Sequence, residues 1–127
     1  MESKRVLIVD DDEELCELLR IAFEAKAYEV FTALDGEAGL TMARKRKPSA
    51  IILDIKMPRL NGYEFLSQLR RDSRIASIPV IILTSVTESS SRSDEEWARS
   101  MEVQDFVSKP IEPFQLVERV ERVVASP

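Results

Sequence analysis

The chain has 127 residues, of which 44% are hydrophobic and 32% are charged, and these proportions are typical of a soluble globular protein. Its formal charge of −5 argues against a nucleic-acid-binding surface, and the absence of histidine excludes His-based catalysis, most zinc sites and a phosphohistidine. One cysteine, Cys16, excludes an internal disulfide, and no apolar run is long enough to span a membrane. We therefore expect a single cytoplasmic domain that comprises residues 1–127.

The first half of the chain alternates between predicted strands and predicted helices. Residues 6–9 form a short, nearly continuous apolar run, and residues 15–23 carry an apolar stripe at helical spacing. Residues 29–32 are a weaker strand candidate, whereas residues 51–53 are again continuously apolar. Short runs of this kind are typical of parallel strands that are buried on both faces of a sheet.

The second half repeats the alternation. A helical stripe at residues 65–69 precedes a fourth apolar run at residues 79–83, and residues 105–107 are the fifth strand candidate. The last predicted helix has Pro113 in its first turn, where proline is favoured, and an apolar stripe at residues 116–124. The alternation predicts five βα units in an α/β fold with a doubly wound parallel sheet.

Polar side chains follow four of the predicted strands. Because the carboxyl ends of parallel strands share one edge of a sheet, we expect these side chains to converge there. They are Asp10, Asp11 and Asp12 after the first strand, Asp54 after the third, Thr84 and Ser85 after the fourth, and Ser108 and Lys109 after the fifth.

A cluster of this composition is suited to phosphoryl transfer. Neighbouring carboxylates repel one another, so at least one should have a raised pKa unless a cation lies between them. Mg²⁺ fits an all-oxygen site best, although Mn²⁺ is possible. A carboxylate beside the cation and a lysine can attack a phosphoryl group and form an aspartyl phosphate.

Four segments carry a close family resemblance. VLIVDDDEEL, IILDIKMPRLNGYEF, IPVIILTS and DFVSKP resemble the receiver domain of response regulators in two-component signal transduction, and the likeness extends over nearly the whole chain. The resemblance, in particular to chemotaxis receivers, implies a flavodoxin-like (βα)5 fold with strand order 2-1-3-4-5.

The resemblance also assigns site residues. Asp54 corresponds to the phosphorylated aspartate, and Asp10 and Asp11 correspond to the acidic pair that holds Mg²⁺ with it. Lys56 would contribute its backbone carbonyl to the metal, and Lys109 would bind the phosphoryl group.

Two further residues correspond to the switch of the family. Thr84 matches the switch hydroxyl and Phe106 the switch aromatic. The implied function is phosphorylation of Asp54 by a histidine kinase or a histidine phosphotransfer protein. Phosphorylation would alter a surface that binds a downstream protein and is formed by the fourth helix, the fifth strand and the fifth helix. Direct binding to nucleic acid or a membrane is not expected, and the only catalysis expected is self-phosphorylation with slow self-dephosphorylation.

Alternative interpretations remain open at this point. Asp12, Glu13 and Glu14 are more readily explained as favourable charges at a helix N-terminus than as metal ligands. A phosphorylation-independent binding module could retain the same residues as a scaffold. An aspartate-nucleophile phosphatase is the least favoured alternative, because Lys56 stands where such an enzyme needs a second aspartate.

The region before the fifth strand departs from the family pattern. The segment between Thr84 and Lys109 is longer than the resemblance implies, and the excess falls near residues 87–93. Ser93 and Glu96 match a capping box, so the fourth helix is predicted to begin there. Glu102 and Val103 stand where many receivers have a small Gly-Ala pair, so this helix should end without the usual glycine. The cognate kinase, the oligomeric state, and whether the domain stands alone or belongs to a longer protein are not determined by the sequence.

Overall fold

The computed structural model describes residues 4–54, 62–85, 96 and 99–125. Five parallel strands form one sheet in the order β2-β1-β3-β4-β5, which confirms the predicted doubly wound topology and strand order. The strands are β1 (Arg5–Val9), β2 (Glu29–Ala33), β3 (Ala50–Leu53), β4 (Val80–Ser85) and β5 (Asp105–Lys109).

Four helices are complete within the described residues. Asp12 begins the first by accepting a hydrogen bond from the Leu15 amide at 3.1 Å, and Pro113 is the first residue of the last, as predicted. The predicted helix between β4 and β5 is represented by helical backbone at 96, 99 and 100, and its predicted start at Ser93 lies outside the described residues. The four are α1 (Glu13–Ala25), α2 (Gly36–Arg46), α3 (Gly62–Arg71) and the C-terminal helix (Pro113–Ala125).

The sheet is covered by helices on both faces. One apolar cluster lies between the sheet and α2 and α3, and a second lies between the sheet and α1 and the C-terminal helix. Alternate residues of β1 point into the two clusters, so Val6 to Val9 are all fully buried. Among the described helices, none is long and apolar enough to cross a membrane.

Candidate functional site

Three carboxylates meet at the carboxyl edge of the sheet. Asp10 and Asp54 follow the adjacent strands β1 and β3, and both continue the sheet, since the Asp10 amide donates to Ala33 O at 3.0 Å and the Asp54 amide donates to Val9 O at 2.9 Å. These two residues are only 2% and 6% exposed, whereas Asp11 is exposed. One oxygen from each of the three carboxylates lies within 4.8 Å of the others.

Lys109, at the end of β5, reaches two of these carboxylates. Its Nζ donates to Asp10 Oδ2 at 3.0 Å and to Asp54 Oδ2 at 3.2 Å. Burial lowers the pKa of Lys109, but the ion pairs with Asp10 and Asp54 outweigh that effect and hold the pKa above its usual value. The lysine is therefore a firmly protonated cation at the centre of the site.

Burial of Asp10 controls its protonation. Burial raises the pKa of Asp10 above its ordinary value, although a hydrogen bond from the Asp12 amide at 3.0 Å and the contact with Lys109 both lower it. The charge of Asp54 adds a smaller upward contribution. The sequence-based expectation of a raised pKa is thus met at Asp10, but the main cause is burial and not repulsion between carboxylates.

The composition of the site fits a hard divalent cation. The cluster contains three carboxylates and one ammonium group, so as described it has an excess of negative charge. Oxygen ligands from Asp10, Asp11 and Asp54 are of the kind that Mg²⁺ prefers, and together they could hold such an ion.

Asp12 has a different role from its two neighbours. Its carboxylate caps α1 and is not one of the three grouped carboxylates, which confirms the interpretation of this residue as a helix N-terminal acid. Its amide N–H, in contrast, donates to Asp10 Oδ1. Sequence reasoning missed this contact, because every non-proline residue has a backbone N–H and the residue type carries no signal.

Cys16 lies directly behind the acidic cluster. Its Sγ donates a long hydrogen bond of 3.5 Å to the Asp10 carbonyl oxygen, and its side chain is buried in the cluster under α1. Burial raises the pKa of the Cys16 thiol to about 12, so the thiol is neutral at physiological pH. Cys16 is therefore a small buried residue of α1.

The remaining predicted site residues are described to different extents. Lys56 lies outside the described residues, and for Thr84 only the backbone is described, in β4 opposite Ser108 of β5. Phe106 is half-buried and packs against the cluster under α2 and α3. The structure therefore brings Asp10, Asp11, Asp54 and Lys109 together and leaves the Lys56 and Thr84 assignments as predictions.

Comparison with known proteins gives one family. The sequence matches the family described as the response regulator receiver domain over residues 6–121. Protein PilH of Pseudomonas aeruginosa is 34% identical over 121 residues, a match that covers 95% of this chain and 98% of PilH. The alkaline phosphatase synthesis transcriptional regulatory protein PhoP of Bacillus subtilis is also 34% identical, but the match covers 96% of this chain and only 49% of PhoP.

A solved structure supports the same relationship. Chemotaxis protein CheY4 of Vibrio cholerae superposes with a TM-score of 0.87 at 29% identity, and the match covers 96% of this chain and 99% of CheY4. The similarity thus extends over the whole sheet and its helices. The chain spans nearly all of PilH but about half of PhoP, so its relatives include both short proteins and longer ones.

Proposed function

This chain belongs to the response regulator receiver domain family, and we propose that it accepts a phosphoryl group on Asp54. The observation that carries the proposal is the placement of one ammonium group against two buried carboxylates. Lys109 Nζ lies 3.2 Å from Asp54 Oδ2 and 3.0 Å from Asp10 Oδ2, with Asp11 completing the acidic group. A nucleophilic carboxylate, a cation-binding acidic group and a fixed lysine are the components that phosphoryl transfer to an aspartate requires.

The proposed reaction is a transfer from a phosphohistidine to Asp54. A carboxylate oxygen of Asp54 attacks the phosphorus, so an O–P bond forms while the N–P bond of the donor breaks. The electron pair of the broken bond stays on the donor imidazole nitrogen, which takes up a proton. The donor histidine must lie outside these 127 residues, in a histidine kinase or a histidine phosphotransfer protein, because this chain contains no histidine.

Charge stabilisation would come from both the protein and a bound cation. Asp10, Asp11 and Asp54 would hold Mg²⁺, with the backbone carbonyl of Lys56 as a further proposed ligand. When bound, Mg²⁺ would supply positive charge for the phosphoryl oxygens. The Lys109 ammonium is already beside Asp54 Oδ2, so it can bind a phosphoryl oxygen after a small movement of its side chain.

Phosphorylation would act on a protein-binding surface. The hydroxyl of Thr84 and the ring of Phe106 are the proposed switch, and the surface comprises β5, the helical segment before it and the C-terminal helix. In this proposal residues 1–127 form one receiver domain whose only catalysis is its own phosphorylation and slow dephosphorylation.

The experiment is intact-mass measurement after incubation with acetyl phosphate, with and without Mg²⁺. Asp54→Asn is the test variant and Asp12→Asn is the matched control from the same acidic edge. Asparagine caps helices about as well as aspartate, so the control should keep α1 intact. We expect one phosphoryl group on the unmodified chain and on Asp12→Asn, and none on Asp54→Asn or without the metal.

Two outcomes would contradict the proposal. A phosphoryl group on Asp54→Asn would place the acceptor elsewhere. A folded chain that gains no phosphoryl group, either from acetyl phosphate or from a panel of phosphorylated histidine kinases, would favour the phosphorylation-independent binding module.

A further inference from the structure

Arg70, the penultimate residue of α3, donates four hydrogen bonds to backbone carbonyl groups of two separate segments. Its Nη1 donates to Ala76 O at 2.9 Å and to Ile78 O at 3.0 Å, both in the loop between α3 and β4. Its Nε donates to Met101 O at 3.1 Å, and its Nη2 donates to Glu102 O at 3.2 Å, both just ahead of β5. The planar guanidinium group can serve all four acceptors because its donors point outward in a fixed fork.

The segment that Arg70 contacts contains an unusual backbone conformation. Glu102 has a φ of 58°, in the left-handed region that disfavours residues with a side chain. Its amide donates to Arg99 O at 3.1 Å, so the helical backbone of residues 99 and 100 ends in a left-handed turn. Glycine is the residue that usually occupies such a position.

We propose that Arg70 holds Glu102 in this left-handed turn and so positions the chain that leads into β5. The carbonyl groups of Met101 and Glu102, on the turn itself, point to the guanidinium group and accept two of its four hydrogen bonds. A charge-assisted donor is stronger than a neutral one, and two such bonds offset the preference of Glu102 for another backbone conformation. Arg70 is thus a positioning residue. Its hydrogen bonds from α3 stabilise a left-handed conformation that a glycine at position 102 would adopt readily by itself.

The turn is also fixed on its other side. The Gln104 amide donates to Val80 O at 2.9 Å, and the Val80 amide donates to Gln104 Oε1 at 2.7 Å, so Gln104 is attached to the start of β4. The turn is held by Arg70 on one side and by Val80 on the other. These hydrogen bonds fix the position at which β5 begins in the sheet. If the proposed function holds, the position of β5 in turn sets the positions of Phe106 and of the surface that binds a downstream protein.

Hydrogen exchange of single amides, followed by NMR, tests the inference without any phosphorylation. Arg70→Lys keeps the charge but cannot bind four carbonyl groups, so we expect the Gln104 amide to exchange about tenfold faster or more. Adding Glu102→Gly should slow that exchange again by about fivefold, because glycine adopts the left-handed conformation readily. Gln104 is the better reporter, since the glycine substitution alters the intrinsic exchange rate at position 102 itself.

Arg71→Lys is the matched control. Arg71 is the next residue of the same helix, but its guanidinium group donates to Ser67 O and Ser67 Oγ within α3. This variant should leave the Gln104 amide within about twofold of the unmodified rate. The amide of Leu7 in β1 reports global stability, and it should change much less than that of Gln104 in Arg70→Lys.

Several results would overturn the inference. Unchanged exchange at Gln104 in Arg70→Lys, or an equal increase at Leu7 and Gln104, would mean that Arg70 does not act on the turn. Failure of Glu102→Gly to slow exchange in the Arg70→Lys background would refute the role of the left-handed residue. Should Arg70→Lys not fold, Glu102→Gly alone must slow exchange at Gln104, and unchanged exchange there would be equally decisive.

A last measurement separates this inference from the proposed function. Arg70→Lys should accept a phosphoryl group from acetyl phosphate at the unmodified rate, because the four carbonyl groups described as its acceptors lie ahead of β4 and β5, whereas Asp54 and Lys109 lie at the carboxyl ends of their strands. A rate about tenfold lower would show that the turn acts on the acidic cluster itself and would overturn the separation. If the unmodified chain accepts no phosphoryl group, the exchange measurements still decide the role of Arg70.

Discussion

Substitution of Gly39 by alanine should destabilise the protein, although alanine is the better helix former. Gly39 lies in α2, where its missing side chain faces β1 and α3. A Cβ at this position would lie 2.9 Å from Val9 Cγ2, 3.1 Å from Val9 Cγ1 and 3.0 Å from Phe65 Cε2. Both neighbours are fully buried, so neither can move toward solvent to make room.

Two opposing contributions set the size of the effect. Alanine in place of glycine within a helix is worth about 1 kcal/mol in favour of folding. Overpacking a well-packed core costs about 1–3 kcal/mol, and three contacts at or below ordinary limits put Gly39 in the upper half of that range. The net loss should be about 1–2 kcal/mol, which corresponds to a melting temperature about 4–8 °C lower for a domain of this size.

Thermal and urea unfolding of Gly39→Ala, Val9→Ala, the double variant and Thr41→Ala would measure this net loss of stability. Val9→Ala alone should cost about 2 kcal/mol, but in the double variant the new methyl group fills the vacated space, so the summed losses should exceed the observed loss by about 1 kcal/mol. Thr41→Ala, on the exposed side of α2, is the control for helix propensity. A melting temperature that rises in Gly39→Ala would refute the reasoning, because it would mean that α2 lies farther from β1 than described.

Two further predictions concern single side chains. Asp12→Ala should lower the unfolding free energy by about 1 kcal/mol in urea titrations, whereas Asp12→Asn should not, because only the alanine variant loses the hydrogen bond from the Leu15 amide. Equal losses in both variants would contradict the capping role. The Tyr28 hydroxyl is buried and finds no hydrogen-bond partner within the described part of the chain, so Tyr28→Phe should leave stability unchanged or raise it by about 1 kcal/mol. Burial raises the pKa of Tyr28 to about 12, whereas an unfolded tyrosine titrates at about 10. The stability gained by keeping the Tyr28 hydroxyl neutral is therefore present below about pH 10 and lost as the pH rises toward 12. Tyr28→Phe should weaken the fall of the unfolding free energy between these two pH values. An identical fall in the variant and the unmodified protein would contradict this assignment.

The sheet could be predicted from the sequence because its central strands are buried on both faces. Ile51, Ile52 and Leu53 contact helices above and below, so each position must be apolar and the run is continuous. The edge strand β5 was a weaker candidate for the same reason, since of its residues only Val107 is buried. The ends of the strands were harder to predict. The fourth apolar run stops at residue 83, but β4 continues through Ser85 because its hydrogen-bonded ladder with β5 extends that far.

Much of the candidate site could also be predicted, because topology determines where strand ends lie. In a parallel sheet, residues at the carboxyl ends of β1, β3 and β5 must share an edge, so Asp10, Asp54 and Lys109 could be placed together before their distances were known. The burial of Asp10, and hence the main cause of its raised pKa, depends on how α1 and Lys109 pack around it, which no local pattern encodes. The carbonyl groups that Arg70 binds are present in every residue, and the only sequence signal was a glutamate at position 102 where a glycine is usual.

The position of Lys109 has a consequence for the proposed chemistry. Its ammonium group bonds Asp10 and Asp54 simultaneously, so its single positive charge is shared between the proposed nucleophile and its neighbour. Formation of the proposed acyl phosphate would remove the negative charge from the Asp54 carboxylate and leave negative charge on the phosphoryl oxygens, which would draw the ammonium group away from Asp54 Oδ2. The bond to Asp10 can persist through this change, since Asp10 takes no part in the new covalent bond. Asp10 would then act as the fixed point about which Lys109 moves between the unmodified and the phosphorylated states, in addition to its proposed role as a metal ligand.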